Sequence, residues 1–270
     1  MDKHIQSSEK NGMLHWNINR PERFNALGTT IGDELENLLT DLREKLALQV
    51  SSVQDIRSLV ITATPRTSAD KKIWVAGGDL KELSLLKDQS QGRSYSEKLS
   101  TICSHLENLP IPVVMGIDGS AIGGGVEFAL ASDIRLATNG SDFHFKQLEV
   151  GLATGYGGAR RLVNLIGKSK ATYWLLSRQK LDQTTLLDSG LIHEVVADKE
   201  DMWRRIEELH NGFLPLHSAA VGIQKKMLSE ACTLDWEKGQ QAELDNFSSL
   251  WMNPTHKKIL DRFTSKPANE

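Results

Sequence analysis

The sequence predicts an α/β protein, because short apolar runs alternate with amphipathic segments along most of its 270 residues. The runs at 58–63 (SLVITA) and 113–117 (VVMGI) have the continuous apolar character of buried strands. From about Asn25, leucine and isoleucine recur every three or four positions as far as Leu42, which predicts an amphipathic helix. This alternation is typical of a sheet whose strands are connected by helices.

The remaining elements follow the same pattern. A strand at 14–19 ends before Pro21, the polar stretch 64–72 predicts an exposed loop, and a strand at 73–76 leads into a helix from about Asp79. The later elements are expected to be a helix at 95–109, a helix opened by glycines 119–125, and helices at 170–177, 183–189, 199–211 and 218–246. We therefore expect an α/β core at 1–197 and a C-terminal helical part at 198–270.

Composition excludes several classes of function. The chain has 32 Lys and Arg against 35 Asp and Glu, so it lacks the positive excess that holds nucleic acid. Its two cysteines, Cys103 and Cys232, are too few for a disulfide scaffold and too far apart for a short metal motif. No signal core or membrane-spanning apolar run is present, so we expect a cytoplasmic protein without a membrane partner.

The densest glycine cluster, at 119–127 (GSAIGGGVE), lies between an apolar strand and an apolar helix. A phosphate-binding loop would continue with Gly-Lys-Ser or Gly-Lys-Thr, and a dinucleotide fingerprint would need a glycine where Arg160 stands. Bare backbone at a helix start can instead direct unpaired N–H groups at an oxyanion, and Gly77-Gly78 offers a second donor. Close packing of helix and strand is the structural alternative.

Several individual polar residues could have either a structural or a functional role. Glu127 follows the glycines in an apolar segment, where a carboxylate is either paired for structure or used in chemistry. Arg160 and Arg161 could meet phosphates, although adjacent basic residues at a helix start are more often solvated. His144 and His193 have no metal-ligand partners at useful spacing, so no metal site is expected.

Four separated motifs together resemble the crotonase superfamily, also called the enoyl-CoA hydratase/isomerase family, from about Leu14 to Phe263. The motifs occur in family order: 19–27 (NRPERFNAL), 75–82 (VAGGDLKE), 111–127 with 131–135 (ASDIR), and 157–162 (GGARRL) with 165–171 (LIGKSKA). The resemblance implies a spiral of ββα turns, followed by C-terminal helices that cover the active site and build a homotrimer or a dimer of trimers.

The resemblance also implies an acyl-CoA substrate and a thioester enolate stabilised by two backbone N–H groups. By position these belong to Gly78 and Gly124, which agrees with the oxyanion interpretation of the glycines. Ala76 falls where the family contacts adenine, and Arg23 is expected near the CoA phosphates. Coenzyme A would be part of the substrate, and no separate cofactor is expected.

One position departs from the family pattern. Family hydratases hold a water between two glutamates; Glu127 matches the first, but the second falls on Gln147, with Lys146 in place of the usual proline. A carboxamide orients water or substrate but cannot act as a base near neutral pH. In an extended segment Glu149 would face the same way as Gln147, so a shifted loop could restore a second carboxylate.

Three functions remain open at this point. The first is double-bond isomerisation or hydration, with Glu127 as the single acid/base and Gln147 as a polar orienter. The second is decarboxylation of a malonyl-CoA-like thioester, which generates the enolate without a base and in which Lys146 could pair with the substrate carboxylate. The third is a non-catalytic acyl-CoA-binding protein.

Overall fold

The computed structural model describes residues 3–48, 55–68 and 71–264 of the chain. Its strands are β1 Ile5–Lys10, β2 Met13–Ile18, β3 Ser58–Ala63, β4 Arg66–Ser68, β5 Lys71–Val75, β6 Val113–Ile117, β7 Ser120–Ile122, β8 Ile134–Thr138, β9 Phe143–His144, β10 Lys180–Leu181 and β11 Glu194–Val196. Its helices are α1 Thr29–Leu48, α2 Leu80–Leu83, α3 Gln89–Glu107, α4 Gly124–Ala129, α5 Gly158–Ser177, α6 Gln183–Asp188, α7 Lys199–Phe213, α8 Ser218–Ala231, α9 Trp236–Ser249 and α10 Pro254–Thr264.

The strands form two sheets that the chain visits in turn. One sheet has the order β1-β2-β3-β6-β8-β11 and is parallel except for the β1–β2 hairpin. The other has the order β10-β9-β7-β5-β4, with β5, β7 and β9 parallel. From β3 to β9 the chain returns repeatedly to each sheet and advances by a neighbouring strand. The predicted α/β class, with helices at the C-terminal end, is confirmed.

The main core lies between the sheets and the helices α1 and α3. Trp16, Trp74 and Phe128 are among its largest fully buried side chains. On the outer side of the six-stranded sheet, α7 buries Met202 and Ile206 against Val114 and neighbouring apolar residues. Within the described ranges, no helix is both long and apolar enough to cross a membrane.

Several predicted elements differ from the structure. The expected loop at 64–72 contains β4 and the start of β5, a polar edge hairpin whose exposed side chains give no apolar alternation. The expected helix at 218–246 is two helices, because the carboxylate of Asp235 accepts the N–H of Lys238 and begins α9. The helix expected after the glycines, α4, is only six residues long.

The first long helix also starts later than predicted, at Thr29 rather than near Asn25. Phe24 and Asn25 both have left-handed φ values, of 54° and 53°, which no α-helix accommodates. The fully buried Asn25 amide donates to the carbonyls of Thr64 and Trp74, both at 2.8 Å. This turn places the next residues beside the end of β5, where Leu27 pairs with Gly78.

Candidate functional site

Two glycine-rich segments meet where the parallel neighbours β5 and β7 end. Gly77 follows β5 with a φ of 83°, and Gly123 follows β7 with a φ of 55°. A Cβ atom on Gly77 would lie 2.7 Å from the backbone nitrogen of Gly124, so only glycine permits this approach. The approach brings together Gly78 and Gly124, which we call the glycine pair.

The backbone N–H groups of the glycine pair are available as donors. Gly124 is the first residue of α4, and the first N–H groups of a helix have no acceptor within it. Gly78 lies between β5 and α2 and is partly exposed. Among the hydrogen bonds of the described residues, none uses the N–H of either glycine. The assignment of these two groups as an oxyanion hole stays a prediction.

Glu127 projects from α4 and is 1% exposed, and its carboxylate accepts four hydrogen bonds. The donors are Gln147 Nε2 at 2.9 Å and Gly155 N at 3.2 Å to Oε1, and Tyr156 N at 2.8 Å and Gly158 N at 2.9 Å to Oε2. Because Gly158 begins α5, the carboxylate also holds the start of that helix. A carboxylate has about four acceptor positions, so all of those on Glu127 are occupied.

Gln147 begins a short 3-10 turn, Gln147–Val150, and joins Glu127 through its side-chain nitrogen. Its side-chain oxygen, Oε1, is buried and has no hydrogen-bond partner among the described residues. A buried acceptor without a partner costs free energy, of the order of 1–3 kcal/mol. Such an atom is typical of a site that receives a donor from a ligand or water.

Glu149 does not replace the missing second glutamate. Because residues 147–150 form a 3-10 turn rather than an extended segment, Gln147 and Glu149 do not share a face. The Glu149 carboxylate lies 3.6 Å from Lys146 Nζ and 3.5 Å from His144 Nε2. Lys146 therefore already has an ion-pair partner in Glu149. This pairing argues against the expectation that Lys146 binds a substrate carboxylate.

Two tyrosines that the sequence did not single out lie against the glycine pair. A Cβ atom on Gly78 would lie 3.2 Å from the hydroxyl oxygens of both Tyr95 and Tyr156, and one on Gly124 would meet the ring of Tyr156 at 2.3 Å. Tyr156 is buried, and burial, with the neighbouring Tyr95 and Glu127, raises the pKa of its phenol. The only feature of the sequence that could have indicated Tyr156 is its place between Gly155 and Gly157.

The two expected CoA-binding residues are engaged within the protein. Arg23 donates to both carboxylate oxygens of Asp79, with Nε at 3.2 Å from Oδ2, and Arg20 Nη1 lies 3.3 Å from the same oxygen. The backbone N–H of Ala76 donates to the carbonyl of Phe24 at 3.1 Å. Ala76 is two positions before Gly78, and Arg23 binds Asp79, the residue after it. The contact of Ala76 and Arg23 with CoA stays a prediction.

Asp79 begins α2 as its N-cap, accepting the N–H of Lys81 at 3.0 Å. Burial acts to raise the pKa of this carboxyl, but the hydrogen bonds and charge of Arg23 and the backbone donors prevail and lower it. Asp79, directly after Gly78, is therefore an ionised acid whose charge is balanced by Arg20 and Arg23.

Other residues considered from sequence have structural roles. Arg160 and Arg161 both bind the carboxylate of Glu107, and Arg161 is buried, so the expected solvated pair is wrong for Arg161. Asp133 pairs with Lys225 at 2.6 Å and accepts the N–H of Val113, which joins α8 to β6. In the part of the chain that is described, no cluster of three His, Cys, Asp or Glu side chains could hold a metal ion.

A cavity of about 350 Å³ opens beside Tyr95. It is lined by α3 and the segment before it, including Leu86, Ser94 and Tyr95, and by Gly28 and Thr29. Tyr95 borders both this cavity and Gly78, so it connects the open space to the buried Tyr156.

The sequence model of the family described as "Enoyl-CoA hydratase/isomerase" matches residues 8–269. Among similar curated proteins, mouse "Enoyl-CoA hydratase domain-containing protein 2, mitochondrial" is 30% identical over 229 residues, covering 84% of this chain and 73% of that protein. "Ethylmalonyl-CoA decarboxylase" from Xenopus tropicalis is 27% identical, covering 91% of this chain and 78% of that protein.

Solved structures show the same fold. An enoyl-CoA hydratase structure from Mycobacterium smegmatis superposes with a TM-score of 0.86 at 20% sequence identity, covering 100% of this chain and 99% of that one. At this identity the likeness concerns the arrangement of the backbone alone.

Proposed function

Because the chain belongs to the enoyl-CoA hydratase/isomerase family, we propose that it acts on an acyl-CoA thioester and stabilises the thioester enolate with the N–H groups of the glycine pair. Two preorganised donors facing the thioester oxygen meet the negative charge that develops there, and removing one such donor typically costs about 3 kcal/mol in the barrier. The two unengaged N–H groups support this assignment.

We further propose that the enolate is generated by loss of CO₂ from a malonyl-CoA-like thioester. The observation that carries this proposal is the saturation of Glu127, whose two oxygens already accept four N–H donors. A base must offer a free lone pair to the proton that it removes, whereas decarboxylation needs none. The electron pair of the breaking C–C bond becomes the enolate, and CO₂ leaves.

The surroundings of Gly78 support the same reaction. The three atoms nearest to a Cβ atom on Gly78 would be a methyl carbon of Leu83 and the hydroxyl oxygens of Tyr95 and Tyr156. A substrate carboxylate placed against the methyl of Leu83 would lose hydration, and its conversion to neutral CO₂ relieves that cost.

The second candidate is double-bond isomerisation or hydration with Glu127 as the single acid/base, which the sequence placed first. One observation favours it: the contact from Gly155 to Glu127 is the longest of the four, at 3.2 Å, so a substrate or water could replace it at Oε1. The unpartnered Oε1 of Gln147 would then orient that water.

We also propose that the protein assembles as a trimer or a dimer of trimers through its C-terminal helices. Large apolar side chains lie exposed there, with Trp236 83%, Phe247 57% and Trp251 57% exposed. Exposed apolar surface of this kind is typical of an assembly interface. Light scattering of the purified protein would give the number of subunits.

The reaction is tested by incubating the purified protein in D₂O with ethylmalonyl-CoA, crotonyl-CoA and a 3-enoyl-CoA, followed by mass spectrometry. We expect loss of CO₂ from the first, with one deuterium in the product. Water addition or a moved double bond, without CO₂ loss, would establish the second candidate instead. Binding of all three thioesters without any product would identify a non-catalytic binder.

The oxyanion hole is tested with a matched pair of variants, Gly78→Pro and Gly78→Ala. Both add a Cβ atom at the same place, but only proline removes the N–H. We expect Gly78→Pro to lower kcat by about 10²- to 10³-fold relative to Gly78→Ala, with acyl-CoA affinity changed far less. Equal rates for the two variants would exclude Gly78 as a donor.

A further inference from the structure

The enolate must gain a proton at its α-carbon, and the two residues expected to act in catalysis are unsuited to deliver it. Both oxygens of Glu127 face N–H donors within the protein, so neither is placed to deliver a proton to the substrate. The amide of Gln147 is not an acid in this pH range. Another O–H or N–H group at the glycine pair has to supply the proton.

Tyr156 has such a group in the right place. Its ring lies against the α-carbon of Gly124 and its hydroxyl oxygen lies beside Gly78, so the phenol spans the glycine pair that would hold the enolate oxygen. In an enolate the α-carbon is bonded to the carbon that carries this oxygen. A donor beside the oxygen is therefore also within reach of the α-carbon.

Tyr95 continues the chain of hydroxyl groups toward solvent. Its hydroxyl donates to the carbonyl of Leu27 at 2.5 Å. The hydroxyl oxygens of Tyr95 and Tyr156 are both 3.2 Å from the position of a Cβ atom on Gly78, so the Tyr156 hydroxyl lies beside the Tyr95 oxygen. The backbone N–H of Asp79 donates to the same oxygen at 3.3 Å. Tyr95 also borders the open cavity lined by Ser94 and Thr29.

We propose that Tyr156 donates the proton to the enolate carbon and that Tyr95 resupplies it from the cavity; this relay rests on the proposed enolate chemistry. The O–H bond of Tyr156 breaks while a C–H bond forms from the enolate electron pair, and the thioester carbonyl is restored. The proton of Tyr95 then moves to the Tyr156 phenolate. Water in the cavity protonates Tyr95, and the resulting hydroxide leaves to solvent.

The electrostatics agree with this order of events. Burial and the nearby Glu127 raise the pKa of Tyr156, so the phenol stays protonated until an enolate appears. The same carboxylate makes a persistent phenolate unfavourable, so prompt resupply through Tyr95 is needed. An enolate carbon is a much stronger base than a phenolate, which makes the first transfer favourable.

The relay is tested with Tyr156→Phe, Tyr95→Phe and the control Tyr173→Phe, an exposed tyrosine on the surface of α5. Each removes one hydroxyl and keeps the ring. With ethylmalonyl-CoA in D₂O, the wild type should give product deuterated in a single α-configuration. Tyr156→Phe should lower kcat by about 10²-fold with KM little changed, and should scramble that configuration, because solvent then protonates a free enolate.

Tyr95→Phe should retain the single configuration, because Tyr156 still delivers the proton, and should lower kcat by about 10-fold through slow resupply. Tyr173→Phe should match the wild type. If Tyr156→Phe keeps both the rate and the single configuration while the wild type releases CO₂, the relay is wrong and the proposed function stands. Absence of any product from the wild type overturns both.

Discussion

Asp79 and Glu127 are both buried carboxylates at helix starts, yet their surroundings differ in charge. Asp79 lies between the guanidinium groups of Arg20 and Arg23, so its negative charge is neutralised. Glu127 is held by one amide and three backbone N–H groups, and no Lys or Arg in the described ranges forms a salt bridge with it. One is a structural acid; the other keeps an uncompensated charge next to the glycine pair.

The difference in charge indicates different roles for the two carboxylates: Asp79 stabilises the structure of the site, and Glu127 also influences its chemistry. Burying a charge without a counter-ion is costly, so it is retained where the field itself is used. Here Glu127 accepts N–H groups at the start of α5, and, after burial and Tyr95, it contributes to the raised pKa of Tyr156. The paired Asp79 instead fixes the segment that carries Gly78, because the same carboxylate joins α2 to the turn around Arg23.

We expect the largest effect on stability from substitution of Asp79, whose charge is balanced by two arginines. Asp79→Asn keeps the N-cap, because Asn caps as well as Asp, but removes the charge that pairs with Arg20 and Arg23. We expect a loss of about 2 kcal/mol in the free energy of unfolding at pH 7, measured by urea denaturation. The exposed salt-bridge variant Asp33→Asn is the control and should cost well under 1 kcal/mol.

The same variant has a defined pH dependence. The pKa of Asp79 is lowered in the folded protein, so its contribution is present above about pH 4, the unfolded value, and is lost as the pH falls through the folded value. The difference between wild type and Asp79→Asn should therefore narrow below about pH 4. A difference that stays constant down to pH 2.5 would contradict the pairing.

We expect a smaller effect on stability when a second carboxylate is placed beside Glu127. Gln147→Glu places a carboxylate where an amide now donates to Glu127 at 2.9 Å, and two carboxylates at this distance cannot both be ionised cheaply. We expect a loss of about 1 kcal/mol at pH 7.5 that shrinks toward pH 5, where the pair shares a proton. The control Gln147→Leu should show a loss independent of pH.

Gln147→Glu also restores the two glutamates with which family hydratases hold a water. We therefore expect it to add water to crotonyl-CoA, measured by the fall in enoyl absorbance, even if slowly. A variant with normal stability at pH 5 and no added hydration would show that Gln147 is not the determinant of reaction type.

Much of the fold followed from the sequence, because strands such as β3 and β6 are continuous apolar runs and amphipathic helices have a clear period. The edge hairpin of β4 and β5 was missed because its exposed polar residues carry no such signal. The true start of α1 was missed because the left-handed turn at Phe24 and Asn25 depends on distant carbonyls.

In the site, the motifs located the glycine pair, Glu127 and Gln147, and the structure brings the last two into contact. The sequence could not show that Glu127 is saturated, because three of its donors are backbone groups of a later turn. Tyr95 and Tyr156 were missed for a similar reason: 61 positions separate them, and only tertiary packing brings them together.

The central claim is that Glu127 stabilises the start of α5 and contributes its negative charge to the site, and that it does not act as the base. This claim is tested most directly by Glu127→Gln. Because Glu127 holds the start of α5, the variant must first be shown to be folded by circular dichroism and thermal unfolding. The account predicts that its kcat for CO₂ loss from ethylmalonyl-CoA stays within about 10-fold of the wild type. A folded variant that binds the thioester but loses about 10²- to 10⁴-fold in kcat would contradict it and make Glu127 the catalytic acid or base.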